Sequence, residues 1–230
     1  MFKGVLIDWG GVLTQPLPDA IQEWLAADRI DVPHYYNVMA EMVGQAYAVD
    51  GHPDGQGDGQ DAEATRENLI HALERGEVEV AEFERALAER LRTLDGRKPS
   101  ADGMISRMFA AFRPVEPMYD MLRAVRAAGL RTCLVSNSWG TDYPREGWDE
   151  LFDGVVISGE VGMRKPEPRI FRHALGVIGL EAHECVFIDD IKANVEAAKG
   201  LGIAGIHHVD PGTTLAELER MLRIPFPPVS

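Results

Sequence analysis

Short, unbroken apolar runs alternate with stretches of helical periodicity along the second half of this chain. From about residue 113 onward the runs 131–135, 154–157, 185–188 and 203–207 are each four or five residues long, and a fifth, 3–7, stands near the start. Runs this brief and this continuously apolar fit central strands of a parallel sheet, where both faces are buried. Between them the spacing predicts helices over 117–128, 168–177, 191–201 and 214–222, several opened by Pro or by Asn, Asp or Thr and closed by Gly. The pattern predicts an α/β protein with a doubly wound, Rossmann-like parallel sheet.

The stretch between the first two runs, residues 15–112, has no comparable strand pattern. Apolar residues recur there at three or four, as at Phe83, Leu87 and Leu91, and predict helices over 19–27, 33–49, 62–75 and 80–94. Residues 1–14 and 113–230 are thus expected to form the α/β core, and 15–112 a helical insertion. Within it, 51–61 is Gly-rich and polar and is expected to be a mobile loop. There is no internal repeat.

Composition narrows the partners. A chain of 230 residues with 45% hydrophobic content can bury a core, and a formal net charge of −14 argues against nucleic acid and anionic membranes, which need clustered Lys and Arg. The same charge repels phosphate esters, so a phosphate site here needs local compensation by a cation and a lysine. The two cysteines, Cys133 and Cys185, fall inside strand-like runs and fit a reducing, cytoplasmic setting better than a disulfide. Residues 2–13 read as mature structure, since Lys3 and Asp8 interrupt them and no cleavage site follows. No run approaches the roughly eighteen apolar residues of a spanning helix.

Four places put reactive side chains at the ends of strand-like runs. Val5-Leu6-Ile7 gives way to Asp8-Trp9-Gly10-Gly11, placing a carboxylate at the edge where open α/β sheets bind ligands; an ordinary turn would explain the same residues. Leu134-Val135 leads into Ser136-Asn137-Ser138, a potential hydroxyl donor to phosphate or simply a loop. Lys165 precedes a helix start set by Pro168, which suits an anion, though a solvated lysine is the plainer reading. Val186-Phe187-Ile188 ends in Asp189-Asp190, an acid pair that a hard divalent cation would relieve; helix capping by Asp190 is the alternative.

These four segments, in this order, resemble the haloacid dehalogenase (HAD)-like superfamily across essentially the whole chain. The resemblance implies that Asp8 is the nucleophile, that Ser136 and Asn137 bind the transferring phosphoryl group, and that Lys165 serves catalysis and substrate binding. It implies that Asp8, the Gly10 carbonyl, Asp190 and Asp189 form a magnesium site, and that the insertion is a cap closing over it. The fourth segment resembles the phosphatase domain joined to soluble epoxide hydrolases. One departure stands out: Gly10 occupies the place of the usual acid/base aspartate, which forfeits proton transfer worth about 10²- to 10⁴-fold in rate. The chain resembles a subgroup with glycine there that includes sugar-phosphate phosphatases. Asp19, His34 and Asp142 are candidates to supply the proton instead.

The expected activity is a magnesium-dependent phosphatase acting on a small phosphorylated metabolite. A 2-haloacid dehalogenase is a rival that leaves the acid pair without a use, and a phosphate-binding regulatory protein is a rival that Gly10 makes conceivable. Mutase activity would need the missing acid/base group. Trp24, Tyr35, Tyr36 and Tyr47 could stack on a substrate, although core packing is the better account of aromatics at helical spacing. An amphipathic cap helix would serve either a lid or a homodimer interface.

Overall fold

The computed structural model describes residues 1–49, 68–140 and 143–227. The Gly-rich 51–61 stretch, the start of the predicted 62–75 helix and Asp142 lie outside the described residues. In chain order, β1 (Gly4–Ile7) is followed by α1 (Leu17–Ala27), α2 (Val32–Val49), α3 (Leu69–Glu74), α4 (Val80–Arg90) and α5 (Met104–Phe109). The chain continues through α6 (Glu116–Ala127), β2 (Arg131–Ser136), α7 (Trp148–Leu151), β3 (Gly154–Ile157), α8 (Ser158–Val161) and α9 (Pro168–Ile178). It closes with β4 (Cys185–Asp189), α10 (Lys192–Gly200), β5 (Ala204–His207) and α11 (Pro211–Leu222).

Side chains alternate across a strand, and β1 shows what that does here. Val5 and Ile7 enter one apolar cluster with α6 and α11, while Leu6 enters another with α9 and Ala198 of α10. Helices therefore cover both faces, and all five strands are parallel in the order β3-β2-β1-β4-β5. This is the doubly wound α/β sheet that the apolar runs predict. Cys133 and Cys185 are free and buried within it. No helix among the described residues is long and apolar enough to cross a membrane.

The helices between β1 and β2 enclose a third apolar cluster of their own, built around Trp24, Phe83, Leu87 and Met104. Two chain segments lead into and out of this insertion side by side: Gln15 donates to the Arg113 carbonyl and Val115 to the Leu13 carbonyl, both at 2.9 Å. The helix α3 starts where Asn68 caps it, its side chain accepting from the Ile70 and His71 amides. The helix predicted over 80–94 stops at Arg90, because Leu91 turns extended with ψ at 164°. The helix α5 escapes sequence reading: six residues are too few to show a period, and it follows Gly103 at φ 65°.

Candidate active site

Strand order reverses beside β1, with β2 on one side and β4 on the other. Loops leaving such neighbouring strands part from each other and open a crevice at their carboxyl ends. Asp8 follows β1, Ser136 ends β2 and Asp189 ends β4, so the topology alone collects them. The amide of Asp8 still donates to the Ile188 carbonyl at 2.9 Å, which pins its backbone in line with the sheet.

Lys165 comes from the loop between α8 and α9 and ties these strand ends together. Its ammonium, fully buried, lies 2.8 Å from Asp8 Oδ1 and 2.7 Å from Asp189 Oδ2. Burial opposes the charge on Lys165, but Asp189 and Asp8 outweigh it and push the pKa up. The backbone of Lys165 is clamped as well: its N–H donates to Asn137 Oδ1 at 2.8 Å, and Asn137 Nδ2 donates to its carbonyl at 3.0 Å. The side chain of Asn137 thus positions the lysine. Ser136 is buried, and its hydroxyl shares a 3.0 Å hydrogen bond with Tyr143.

The adjacent acids have different surroundings. Asp189 accepts from Lys165, from the Ile191 amide at 2.8 Å and from Asn194 Nδ2 at 3.1 and 3.2 Å, so its oxygens are satisfied. Asp190 Oδ1 is buried with no hydrogen-bond partner among the described residues. Helix capping does not occupy Asp190, since the residue at the N-terminal boundary of α10 is Ile191. One ligand atom each from Asp8, Asp189 and Asp190 lies within 4.8 Å of the others. Burial raises the Asp8 carboxyl to about 7 despite Lys165, and burial with the neighbouring Asp189 raises Asp190 to about 6. A buried orphan oxygen in an all-oxygen cluster is what a hard divalent cation satisfies, so these residues fit magnesium.

Glycines shape the same corner. Gly11 has φ +74°, and a Cβ there would lie 2.4 Å from Asp190 Oδ2, so any side chain would displace that carboxylate. At Gly10 a Cβ would come within 3.3 Å of Leu17 Cδ2: an apolar side chain from α1 fills the space beside the end of β1.

A cavity of about 240 Å³ opens over these groups, lined by Asp8, Gly10, Ser136, Asn137, Lys165 and Asp190 on the sheet side and by helices of the insertion above. Insertion and sheet meet through a buried ion pair, Arg164 Nε to Glu74 Oε2 at 2.6 Å, with Trp139 Nε1 donating to the other Glu74 oxygen at 3.4 Å. Backbones also touch: a Cβ at Gly76 would sit 2.4 Å from the Gly159 carbonyl oxygen.

A profile of haloacid dehalogenase-like hydrolases matches residues 2–202. The chain belongs to this hydrolase family. Bifunctional epoxide hydrolase 2 of Rattus norvegicus is 31% identical over 136 residues, which are 56% of this chain and 24% of that protein. A sesquiterpene phosphatase of Aspergillus oryzae is 36% identical over 115 residues, 48% of this chain and 58% of that one. The HAD-like chain thus matches only part of the length of either relative. Among solved structures, a HAD family enzyme of Bacteroides thetaiotaomicron superposes with a TM-score of 0.63 at 23% identity, covering 94% of this chain and 98% of that one. The same enzyme in complex with magnesium and inorganic phosphate superposes at 0.58 and 22% identity, over 90% and 93% of the two chains. At these identities the structural likeness is one of fold.

The sheet edge of this HAD-like hydrolase brings Asp8, Gly10, Ser136, Asn137, Lys165, Asp189 and Asp190 together. The proposed proton donors fare differently. Asp19 is exposed on α1 and His34 Nε2 donates to the Arg90 carbonyl, 2.8 Å away; neither lines the cavity. Trp24 and Tyr35 are buried in the insertion's own core, as their spacing favours, and Tyr36 is exposed. The aromatic lining comes instead from Trp9, Phe109, Phe112, Trp139 and Tyr143. Tyr143 and Asn194 touch the key side chains without having been singled out. Only Asn194 carried a signal, lying five residues after Asp189 and so in the first turn of the helix that follows.

Proposed function

We propose that this HAD-like hydrolase is a magnesium-dependent phosphatase that forms an aspartyl-phosphate on Asp8. The observation that carries the reading is the trio Asp8, Asp189 and Asp190, with ligand atoms within 4.8 Å of one another, gathered about the buried Lys165 ammonium while Asp190 Oδ1 has no partner among the described residues. Support also comes from a relative named as a phosphatase and from a fold neighbour solved with magnesium and inorganic phosphate.

Asp8 Oδ1 accepts from the Trp9 amide at 2.7 Å and from Lys165, which orients the carboxylate and leaves Oδ2 for in-line attack on phosphorus. Lys165, Ser136 and the Asn137 backbone receive the phosphoryl oxygens, and Asp189 with Asn194 keeps Lys165 aimed. Asp8, the Gly10 carbonyl and Asp190 would hold magnesium, which when bound supplies positive charge to the phosphoryl group. Water then cleaves the acyl phosphate. With no carboxyl at Gly10, the leaving oxygen must take its proton from water or depart as a good leaving group. In this reading residues 15–112 act as a cap, hinged where Gln15 and Val115 pair with the opposite linker.

Phosphate release from p-nitrophenyl phosphate in magnesium tests the scheme. Asp8→Asn should abolish it. Gly10→Asp should retain it, since the Leu17 side-chain tip has only to shift by a few tenths of an ångström. Turnover by Asp8→Asn at the parent rate would sink the nucleophile assignment, and binding without turnover in the parent would favour a regulatory phosphate-binding role.

A further inference from the structure

Resting on that phosphatase reading, we propose that the substrate is an amphiphilic phosphate monoester, with its phosphoryl head at Asp8 and a compact hydrocarbon body in the cavity beneath the insertion. The cavity wall away from the carboxylates is apolar: Leu17 and Ile21 from α1, Ile70 from α3, Met108 and Phe109 from α5, and Trp139 from the loop after β2. Four separate segments thus converge on one hydrocarbon surface, with His71 and Glu74 of α3 and Arg164 as the polar groups beside it. Apolar lining begins at the reacting group itself, because Leu17 packs within 3.3 Å of where a Gly10 side chain would start.

Among the described residues, the polar groups on the same side do not offer a hydroxyl-binding set. Glu74 has one oxygen on Arg164 at 2.6 Å and the other facing Trp139 Nε1 at 3.4 Å, and His71 and Arg164 are likewise engaged. A sugar or polyol body would lose water from its hydroxyls against this wall without regaining hydrogen bonds. A methylene gains by leaving water, and each one that enters should tighten binding about three- to fourfold. The volume of about 240 Å³ lies below the roughly 300–1,000 Å³ of common small-molecule sites. The gain must therefore stop at a modest chain length.

Calorimetric binding of straight-chain alkylphosphonates from ethyl to decyl, in magnesium, tests the body of the ligand without needing catalysis. Phosphate release from the matching alkyl phosphates is measured in parallel. Affinity rising about threefold per methylene and then levelling before decyl supports the proposal. Ile70→Asn should flatten that rise; should this variant fail to fold, Ile21→Asn on α1 gives the same reading. A flat series, or tighter binding of glycerol 3-phosphate than of hexylphosphonate, overturns it. A rising affinity series with no phosphate released from any ester upholds the apolar site and overturns the phosphatase chemistry instead. No binding by any phosphonate overturns both.

Discussion

Replacing Lys165 by methionine keeps most of the side-chain volume and removes the ammonium held between Asp8 and Asp189. Lys165 and Asp189 are 1% and 0% exposed at their side chains, Asp8 10%, and the two ion-pair distances are 2.7 and 2.8 Å. Breaking a buried pair by removing one partner typically costs about 3–5 kcal/mol. With a urea dependence near ~2 kcal/mol per M, the midpoint should fall by roughly 2 M at about pH 8. The loss must depend on pH in a definite direction. Asp8 titrates at about 7 in the folded enzyme against an ordinary 3.8, chiefly through burial, and loss of the ammonium raises it further. A carboxyl raised by folding binds its proton more tightly when folded; that stabilisation is whole below 3.8 and is lost as pH climbs through the folded value. Lys165→Met should therefore be penalised most at about pH 8 and least at about pH 5. Urea unfolding followed by tryptophan fluorescence at both pH values checks it. A midpoint unchanged at the higher pH, or a deficit that grows as pH falls, would refute the reasoning.

Three further outcomes follow from the same site. Magnesium at about a hundred times its dissociation constant should stabilise the parent by about 2.7 kcal/mol; Asp190→Asn should lose most of that shift in thermal melts. The shift should also shrink toward about pH 5, because Asp8 and Asp190, raised to about 7 and about 6, must give up protons to bind the ion. Glu74→Gln weakens the charge-assisted bond to Arg164 that joins insertion to sheet and should lower stability by about 1.5–3 kcal/mol, while an unchanged melting temperature would show that the pair contributes nothing. Tyr143→Phe removes the hydroxyl that meets Ser136 and should cost about 1 kcal/mol in the same assay; a melt identical to the parent's would dismiss the contact.

Much of the architecture was legible because burial on both faces leaves a local mark. The run Val5-Leu6-Ile7 ends at Asp8, and Val186-Phe187-Ile188 ends at Asp189-Asp190; strands of a parallel sheet share one polarity, so residues at their ends share one edge. Short pieces such as α5 left no period to read, and Leu91 ends α4 through a backbone angle that its identity does not announce.

What the sequence determined alone was the inventory of reactive groups and the sheet edge they occupy, because strand periodicity and strand polarity are properties of neighbouring residues. Only tertiary packing decided which acid is satisfied and which is not: Asp189 is reached by Lys165 and Asn194, while Asp190 Oδ1 is buried without a partner among the described residues. Packing likewise chose Phe109 and Trp139 to line the cavity and sent Trp24 and Tyr35 into the insertion's core. A helix presents every side chain in turn, and the face that becomes a cavity wall is set by the surfaces that close around it.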